Sequence, residues 1–518
     1  MKNTVETSEN VLALQERIAE LESLVKWYEE QFRLNQHRRF GASSEKSEYD
    51  QLNLFNETEV TADETVPEPE LVEIERHYRQ RIRLVNDTLP ETLPVEVVEY
   101  DLPTNEQVCV TCDGALHVMG RDSRRELKII PAKAIIVEHV QKVYACRSCE
   151  RDSVSVPIRK APVPPPVIKG SFASPEAIAH IMTQKFVMGA PLYRQEQDWN
   201  RHGIKLSRQT MSNWLIRATE DWLEPTYNEL RRRLLAYEVL HADETTLQVL
   251  REPGKTAQSK SYMWLYRTSG DAEHPIVLYD YQPDRRAKRP AEFLSGFKGY
   301  LHTDGYESYH KLPEEIVVVG CFAHARRTWD EALKALSEKD REGSNVLRGK
   351  RYCDKLFEIE RSLADLPPQE CYAKRQELAK PVLDAFFAWL EPLNAPPKTG
   401  LGKAKYYTLG QRKYLERYLL DGRLELSNNR AERSIKPFVI DRKNFLFANT
   451  PRGAKASAVM FSMIETAKEN GLSPFAYLSY IFKHAPGADV RNDTEALERL
   501  LPQAAPEACK AKPMSDQT

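Results

Sequence analysis

Val239-Leu-His-Ala-Asp-Glu-Thr-Thr-Leu-Gln-Val249 reads as a buried β-strand carrying one carboxylate, Asp243, in its middle. Alternation places Val239, His241, Asp243, Leu247 and Val249 on one face and turns Glu244 to the other. A carboxylate in such a strand costs free energy unless a charge or a metal meets it. For Asp243 alone, a salt-bridged core aspartate is the simpler account. Two further stretches change that reading. Gly299-Tyr-Leu-His-Thr-Asp304-Gly305 is a second short strand ending in an aspartate, with a glycine to turn the chain. Ser427-Asn-Asn-Arg-Ala-Glu432-Arg433 opens a helix, which Pro437 is expected to stop. Asn429, Glu432, Arg433 and Lys436 share one face of it, and Ala431 and Ile435 another. Two strand carboxylates and one helix carboxylate offer oxygen ligands on rigid elements, the donor set of a hard divalent cation.

Working outward, strand-like runs at 239–250, 261–268, 275–281, 299–304 and 316–320 frame Asp243 and Asp304, with a short helical stretch near 288–296. Five strands with helices fit a mixed α/β sheet of RNase H type. Residues 328–425 interrupt it with helical patterns such as Val382, Leu383, Phe386, Phe387 and Leu390, an all-helical insertion before Glu432. The catalytic core is therefore expected over 236–470. From 428 to 455 there are seven basic and two acidic residues, with Phe438, Phe445 and Phe447 interleaved. Such a run beside a metal site suits a phosphodiester backbone, although an ordinary solvated surface has the same composition. Arg433, Lys436, Arg442 and Lys443 are its candidate DNA contacts. Ser473-Pro474 starts a last helix, 471–485, and the tail 486–518 carries no readable signal.

Upstream, residues 167–235 are helical. Ser174-Pro175 starts one helix, a second runs around Tyr193 to Trp199 and stops near His202-Gly203, and Ser207 caps a third. Met211, Trp214, Leu215 and Ala218 form the buried stripe of the third, leaving Arg208, Gln209, Ser212 and Asn213 near its polar tip. This is a helix-turn-helix-like arrangement, whose second helix enters the major groove of double-stranded DNA. A three-helix packing unit with a solvated face is the plainer account.

The N-terminal third is modular. Val11, Leu14, Ile18, Leu21, Val25, Tyr28 and Phe32 make an a/d seam, so 11–34 reads as a leucine-zipper-like helix and the protein as a homodimer or higher oligomer. Residues 47–75 hold ten acidic side chains and no Lys or Arg, the composition of a disordered linker. Residues 76–160 contain Cys109-Val-Thr-Cys112 and Cys146-Arg-Ser-Cys149. Two C-x-x-C knuckles give a closed tetrahedral Zn²⁺ site of structural kind, with iron–sulfur or redox chemistry as the competing reading. Net charge is −2 over 518 residues, so nucleic-acid binding must sit in local patches. No apolar run approaches the roughly 20 residues that span a bilayer. Eight cysteines are too few for a disulfide framework, and a cytoplasmic protein is expected.

Together these stretches resemble a transposase of the insertion sequence 66 family. The resemblance rests on Arg39-Phe-Gly-Ala-Ser-Ser-Glu-Lys46, the four knuckle cysteines, Pro191-Leu-Tyr-Arg-Gln-Glu-Gln197, His241-Ala-Asp-Glu-Thr245 and Thr303-Asp-Gly-Tyr306. Gly320-Cys-Phe-Ala-His-Ala-Arg-Arg327, Asn428-Asn-Arg-Ala-Glu-Arg433 and Arg442-Lys-Asn-Phe-Leu-Phe447 complete it. It implies a multidomain α+β protein with an N-terminal coiled coil, a small zinc-binding module and a DDE core, and maps the acidic triad onto Asp243, Asp304 and Glu432. The expected chemistry is cleavage at the ends of an insertion sequence and transfer of 3′-hydroxyl ends to target DNA. Mg²⁺ or Mn²⁺ held by the three carboxylates would serve it, two ions being shared in such sites. Accessory proteins of the same element are candidate partners. His324 and Arg326 are candidate helpers at the site. Glu244, on the opposite strand face, is no ligand, and Glu244→Gln is expected to retain measurable activity. A DNA-binding regulator with a dead core and a nuclease that cuts without joining are the alternatives.

Overall fold

The structure, a computed structural model, describes residues 162–511, together with Val25, 137–139 and the strands β1 (Val143–Ala145) and β2 (Ile158–Lys160). The four knuckle cysteines, the acidic linker and all of the seam but the helical, exposed Val25 lie outside the described residues. The chain divides into two compact units, Met1–Ala42 with Pro164–Lys512, and Ser43–Val163 with Pro513–Thr518. In the second of these, β1 and β2 pair antiparallel, Tyr144 opposite Arg159.

The first unit is built on a five-stranded sheet. Its strands are β3 (Val239–Gln248), β4 (Lys260–Thr268), β5 (Val277–Gln282), β6 (Gly299–His302) and β7 (Ile316–Val319), in the order β5-β4-β3-β6-β7. The meander β3-β4-β5 is antiparallel, while β3-β6 and β6-β7 are parallel. The central strand β3 therefore meets an antiparallel neighbour on one side and a parallel one on the other. Buried runs such as Met263-Trp-Leu-Tyr266 and Val277-Leu-Tyr279 show a sheet covered on both faces.

Helices α1 (Pro175–Phe186), α2 (Leu192–Arg201) and α3 (Arg208–Ala218) precede the sheet. Ser174 and Ser207 cap α1 and α3 through the backbone N–H groups of Ala177 and Thr210, as their sequences predict. Met211, Trp214, Leu215 and Ala218 are the buried residues of α3. A π-helical turn joins α3 to α4 (Glu224–Leu234), and α5 (Lys288–Phe293) follows β5.

After β7 come helices α6 (Phe322–Ala335), α7 (Asn345–Ser362), α8 (Pro368–Lys374), α9 (Lys380–Leu390) and α10 (Gly400–Leu415). They enclose a core of their own around Trp329, Leu356, Phe386, Phe387 and Leu390, to which the sheet contributes Val239, Val319 and the partly buried Tyr300. The other core runs from α1 and α3 across the sheet to α12 (Pro451–Glu469) and α13 (Pro474–His484). Helix α12 also closes the sheet edge. Ser462 Oγ and Thr466 Oγ1 accept the N–H groups of Tyr279 and Val277 on the outer strand β5, at 2.7 and 3.0 Å.

One expectation is corrected here. Helix α11 spans Asn429–Phe445 with Pro437 inside it, rather than ending there. The proline removes one intrahelical N–H donor, but tethers to the sheet on both sides of it, described below, hold the helix together. The tail, where the sequence carries no readable signal, packs onto the unit: Leu500, Leu501 and Cys509 are buried, and Ala511 N–H donates to Gly471 O at 2.8 Å. Cys321, Cys353, Cys371 and Cys509 are unbridged and buried. Among the described residues no helix is long and apolar enough to cross a membrane.

Candidate active site

Strand register brings the two aspartates together. β3 and β6 run parallel with His241 opposite His302, and the two imidazoles stack at 4.4 Å. Two residues further along each chain, on the same face by alternation, stand Asp243 and Asp304. Neighbouring strands lie about 4.8 Å apart, so this register brings together the carboxyl groups of Asp243, in the middle of β3, and Asp304, two residues past the end of β6. Beyond β6 the chain turns, with Tyr306 N–H donating to Asp304 Oδ1 at 2.9 Å. Burial, then the negative charges of Glu244, Asp304 and Glu432, hold the Asp243 carboxyl well above the usual carboxylate range. All three acidic neighbours act on one oxygen pair, which marks the place where a cation would be most strongly attracted.

Glu432 arrives on the first turn of α11, and four tethers set that helix. Asn428 is fully buried; its Nδ2 donates to Ala242 O at 2.8 Å and its Oδ1 lies 3.0 Å from His241 Nδ1. Mid-helix, Ser434 is held from both sides. Arg267 donates to its Oγ and Tyr279 O–H to its carbonyl, while Arg267 also pairs with Glu469 at 2.9 Å. Near the far end Arg442 donates to Thr246 O and Oγ1 and to Thr245 Oγ1. Arg442 is thus occupied by β3, contrary to its expected place at phosphates.

Around Glu432 lie His324 Nδ1 and Arg327 Nη2, each 3.5 Å from one of its oxygens. His324 Nδ1 and Glu432 Oε1 are buried without a hydrogen-bond partner. Cys321, His324 and Glu432 place a sulfur, a ring nitrogen and a carboxylate oxygen within 4.8 Å of one another. Cys321 Sγ accepts the Asn428 N–H at 3.1 Å, and burial pushes its thiol up to about 12. Sequence reasoning passed over Cys321; the two-residue gap in Cys321-Phe-Ala-His324 at a strand-to-helix turn was the available signal. Arg326 points elsewhere and pairs with Asp354 at 2.6 Å. The orphaned Glu432 oxygen and the mutual repulsion at Asp243 both fit a divalent cation held by oxygen ligands.

The predicted nucleic-acid contacts fall in two places. Arg433, Lys436 and Lys443 are exposed on α11 beside Glu432, while Ala431, Ser434, Ile435 and Phe438 face inward. On α3, Arg208, Gln209 and Asn213 are exposed and Ser212 half-buried. Arg208 lies over the Tyr193 ring, 5.6 Å from its centre, and its N–H donates to Glu196 at 3.0 Å.

Residues 170–456, which carry this whole constellation, match the family model described as Transposase IS66 family. The chain belongs to the IS66 transposase family. Residues 106–150, which contain the four knuckle cysteines, match the zinc-finger binding domain of transposase IS66. Residues 27–98 match the model described as Transposase C of IS166 homeodomain, the family's leucine-zipper segment, and 462–503 match the IS66 C-terminal element. Two relatives come from Sinorhizobium fredii (strain NBRC 101917 / NGR234), and both are described as uncharacterized. Protein y4jD is 30% identical over 428 residues, covering 79% of this chain and 81% of the relative. Protein y4hP is 31% identical over 416 residues, covering 77% and 74%.

In this IS66-family chain Glu244 lies outside the acidic triad but is bound into the structure beside it. It points to the other strand face, as alternation requires, but its side chain is only 1% exposed. It accepts from Arg285 and from Tyr309 O–H at 2.5 Å. Arg285 is also 3.9 Å from Asp304, with its guanidinium over the Tyr306 ring. Glu244 therefore anchors the cation nearest Asp304. Glu244→Gln should lose about 1–3 kcal/mol of stability in denaturant melts, because Arg285 and Tyr309 lose a charged acceptor. It should also slow strand cleavage without abolishing it, since Arg285 is released toward Asp304. Parental stability together with the parental rate would mean that the pair does not hold the site.

Proposed function

We propose that this transposase cleaves DNA strands at the ends of an insertion sequence and joins the 3′-hydroxyl ends to target DNA. Asp243, Asp304 and Glu432 would hold the divalent cation. The observation that carries this reading is the parallel register of His241 with His302, each two residues before its aspartate, Asp243 and Asp304, with Glu432 delivered by a helix tethered to the same sheet. The strand order β5-β4-β3-β6-β7, three strands antiparallel and two parallel, supports an RNase H-like core interrupted by the helical insertion. When bound, Mg²⁺ or Mn²⁺ supplies an activated water or hydroxyl and neutralises charge on the leaving oxygen. The chain's own residues do the rest. Arg433, Lys436 and Lys443 take up phosphates along α11, Arg285 steadies the acidic pair, and His324 with Arg327 orients Glu432. Helix α3 is the proposed reader of element ends, through Arg208, Gln209, Ser212 and Asn213. Self-association through 11–34, accessory proteins of the element and residence in the cytoplasm at the nucleoid complete the proposal.

The test is a strand-transfer assay on the element's own DNA ends with Mg²⁺, supplying any accessory proteins. Nicked and joined products support the reading; binding without nicking, in every divalent metal tried, leaves a regulator. The proposed Zn²⁺ site is tested separately. Replacing Cys109 and Cys146 with Ser should release bound zinc in metal analysis while the carboxylate core keeps its own melting transition. Purified parent carrying iron, or no metal, would remove the zinc assignment.

A further inference from the structure

Helix α11 ends in the only non-glycine residue with positive φ among the described residues. Leu446 has φ 65° and ψ −51°. Phe447 N–H donates back to Phe445 O at 2.8 Å, two residues away, so Leu446 is the middle of a tight three-residue turn. For an L-residue this γ-turn is the strained hand, and bulky side chains seldom adopt it. Its neighbours hold it in place. Leu446 N–H donates to Arg442 O at 2.8 Å, and Ala448 bonds on both sides to the end of β3, from its N–H to Gln248 O and from Leu250 N–H to its own carbonyl. Arg251 N–H donates to Asn449 O at 2.9 Å. Beneath the turn Phe445 packs edge-on to Phe186 and takes the Lys185 ammonium over its ring at 3.5 Å.

This rigid frame puts two large apolar side chains into solvent: Leu446 is 64% exposed and Phe447 45%. Neither gains burial from a conformation that strains the backbone, so folding does not account for it. Strain of this kind collects at functional sites. The surroundings state what the pair would meet. Lys436 and Lys443 lie on the same exposed stripe of α11 as Glu432, followed by Leu446, with exposed Arg251 on the neighbouring segment. None of these three cations has an ion-pair partner among the described residues. From Glu432 to Leu446 is 14 residues of helix, on the order of 20 Å, or about six base pairs of duplex. A row of cations that begins at the carboxylates and ends in a leucine–phenylalanine tip is complementary to a duplex lying along α11.

We propose that Leu446 and Phe447 form an apolar wedge that enters the base stack of duplex DNA held along α11, Phe447 stacking on the base that is displaced. The proposal rests on the DNA reading of the site. Apolar wedges of this kind unstack a base step and bend the duplex, and the work is least where a step is already weakened.

The experiment uses the full chain and two 30-bp duplexes of the same mixed sequence, one matched and one with a single central mismatch, titrated by fluorescence anisotropy at several salt concentrations. The parent should prefer the mismatched duplex by about tenfold, the size of one base-stacking contact. Phe447→Ala and Leu446→Gly should each bring the two affinities to within about twofold while leaving the salt dependence unchanged. Lys443→Ala should do the reverse, weakening both duplexes alike and lowering the salt slope by about one. Leu446→Gly should melt at or above the parental temperature, because glycine adopts this φ without strain. The wedge is overturned if the parent binds both duplexes equally, or if Phe447→Ala keeps the preference. It is overturned equally if Leu446→Gly melts well below the parent, or if either variant instead changes the oligomeric mass in sedimentation. A parent that binds neither duplex at low salt removes the DNA reading and the wedge with it.

Discussion

Asp243→Asn is expected to abolish strand cleavage, by a thousandfold or more, and at the same time to make the metal-free protein more stable. On the proposed ligand assignment, the rate loss follows from removing a charged ligand from a site where a bound cation contributes several kcal/mol, on the order of a thousandfold in rate. The gain in stability follows from burial and from the charges of Glu244, Asp304 and Glu432, which all disfavour ionised Asp243. Its folded pKa lies above the unfolded value, so folding favours the protonated acid. That contribution is complete below about pH 4, the unfolded value, and is lost as pH rises through the folded pKa. Parent and variant should therefore melt together near pH 4 and diverge toward neutrality, with the variant ahead by about 1–3 kcal/mol, the usual cost of an unsatisfied buried polar group. Added Mg²⁺ or Mn²⁺ should reverse the order. A cation at a hundred times its dissociation constant stabilises the parent by about 2.7 kcal/mol, and the variant by much less. Calorimetry with and without metal reads this independently of any DNA. A variant that responds to metal as the parent does would take Asp243 out of the ligand set.

The contrast between what was legible in the sequence and what was not follows the range of each interaction. Strand alternation is local, and the runs expected at 239–250, 261–268, 275–281, 299–304 and 316–320 appear as strands within a few residues of those bounds. Serine caps are equally local, and Ser174 and Ser207 act as expected. The fate of Pro437 is different in kind. A proline ends a helix when only intrahelical bonds hold it, whereas α11 is held by Asn428, Ser434 and Arg442 bonding to strands between 155 and 197 residues away. Arg442 looked like a phosphate ligand for the same reason: its acceptors on Thr245 and Thr246 are distant in sequence. Alternation gave the right face for Glu244, but Arg285 and Tyr309, which wait there, carry no local signal. The packed tail shows the limit again. Its anchors are isolated residues, Leu500, Leu501 and Cys509, without a period to announce them.

Asn428→Ala is the second large effect, and it acts on the site from outside it. An asparagine at a helix N-cap ordinarily turns its side chain onto the helix's own first N–H groups. Asn428 makes no such bond. Its amide spans from α11 to the central strand, with Nδ2 on Ala242 O and Oδ1 against His241 Nδ1, while its backbone N–H reaches Cys321. Burial pushes the His241 imidazole down to about 3, so at neutral pH the ring is uncharged and its Nδ1–H donates to Asn428. One residue thus joins the strand of Asp243, the turn before His324 and the helix of Glu432. Truncation would leave the Ala242 carbonyl and the His241 ring unpaired in the core, at about 1–3 kcal/mol for each group. A total loss near 2–4 kcal/mol is expected in denaturant melts, since the two costs arise in one network and do not add fully. Glu432 would then lose its fixed place relative to Asp243, and cleavage should fall by about ten- to a hundredfold, as when outer partners of metal ligands are removed. Asn428→Asp separates support from bulk. It keeps the shape and an acceptor for His241 but cannot donate to Ala242 O, and it adds a negative charge beside the carboxylates. It should be less stable than the parent and respond more steeply to rising pH. If Asn428→Ala melts with the parent and cuts at the parental rate, the amide is not what holds α11 to the sheet, and Arg267, Tyr279 and Arg442 alone set the place of Glu432.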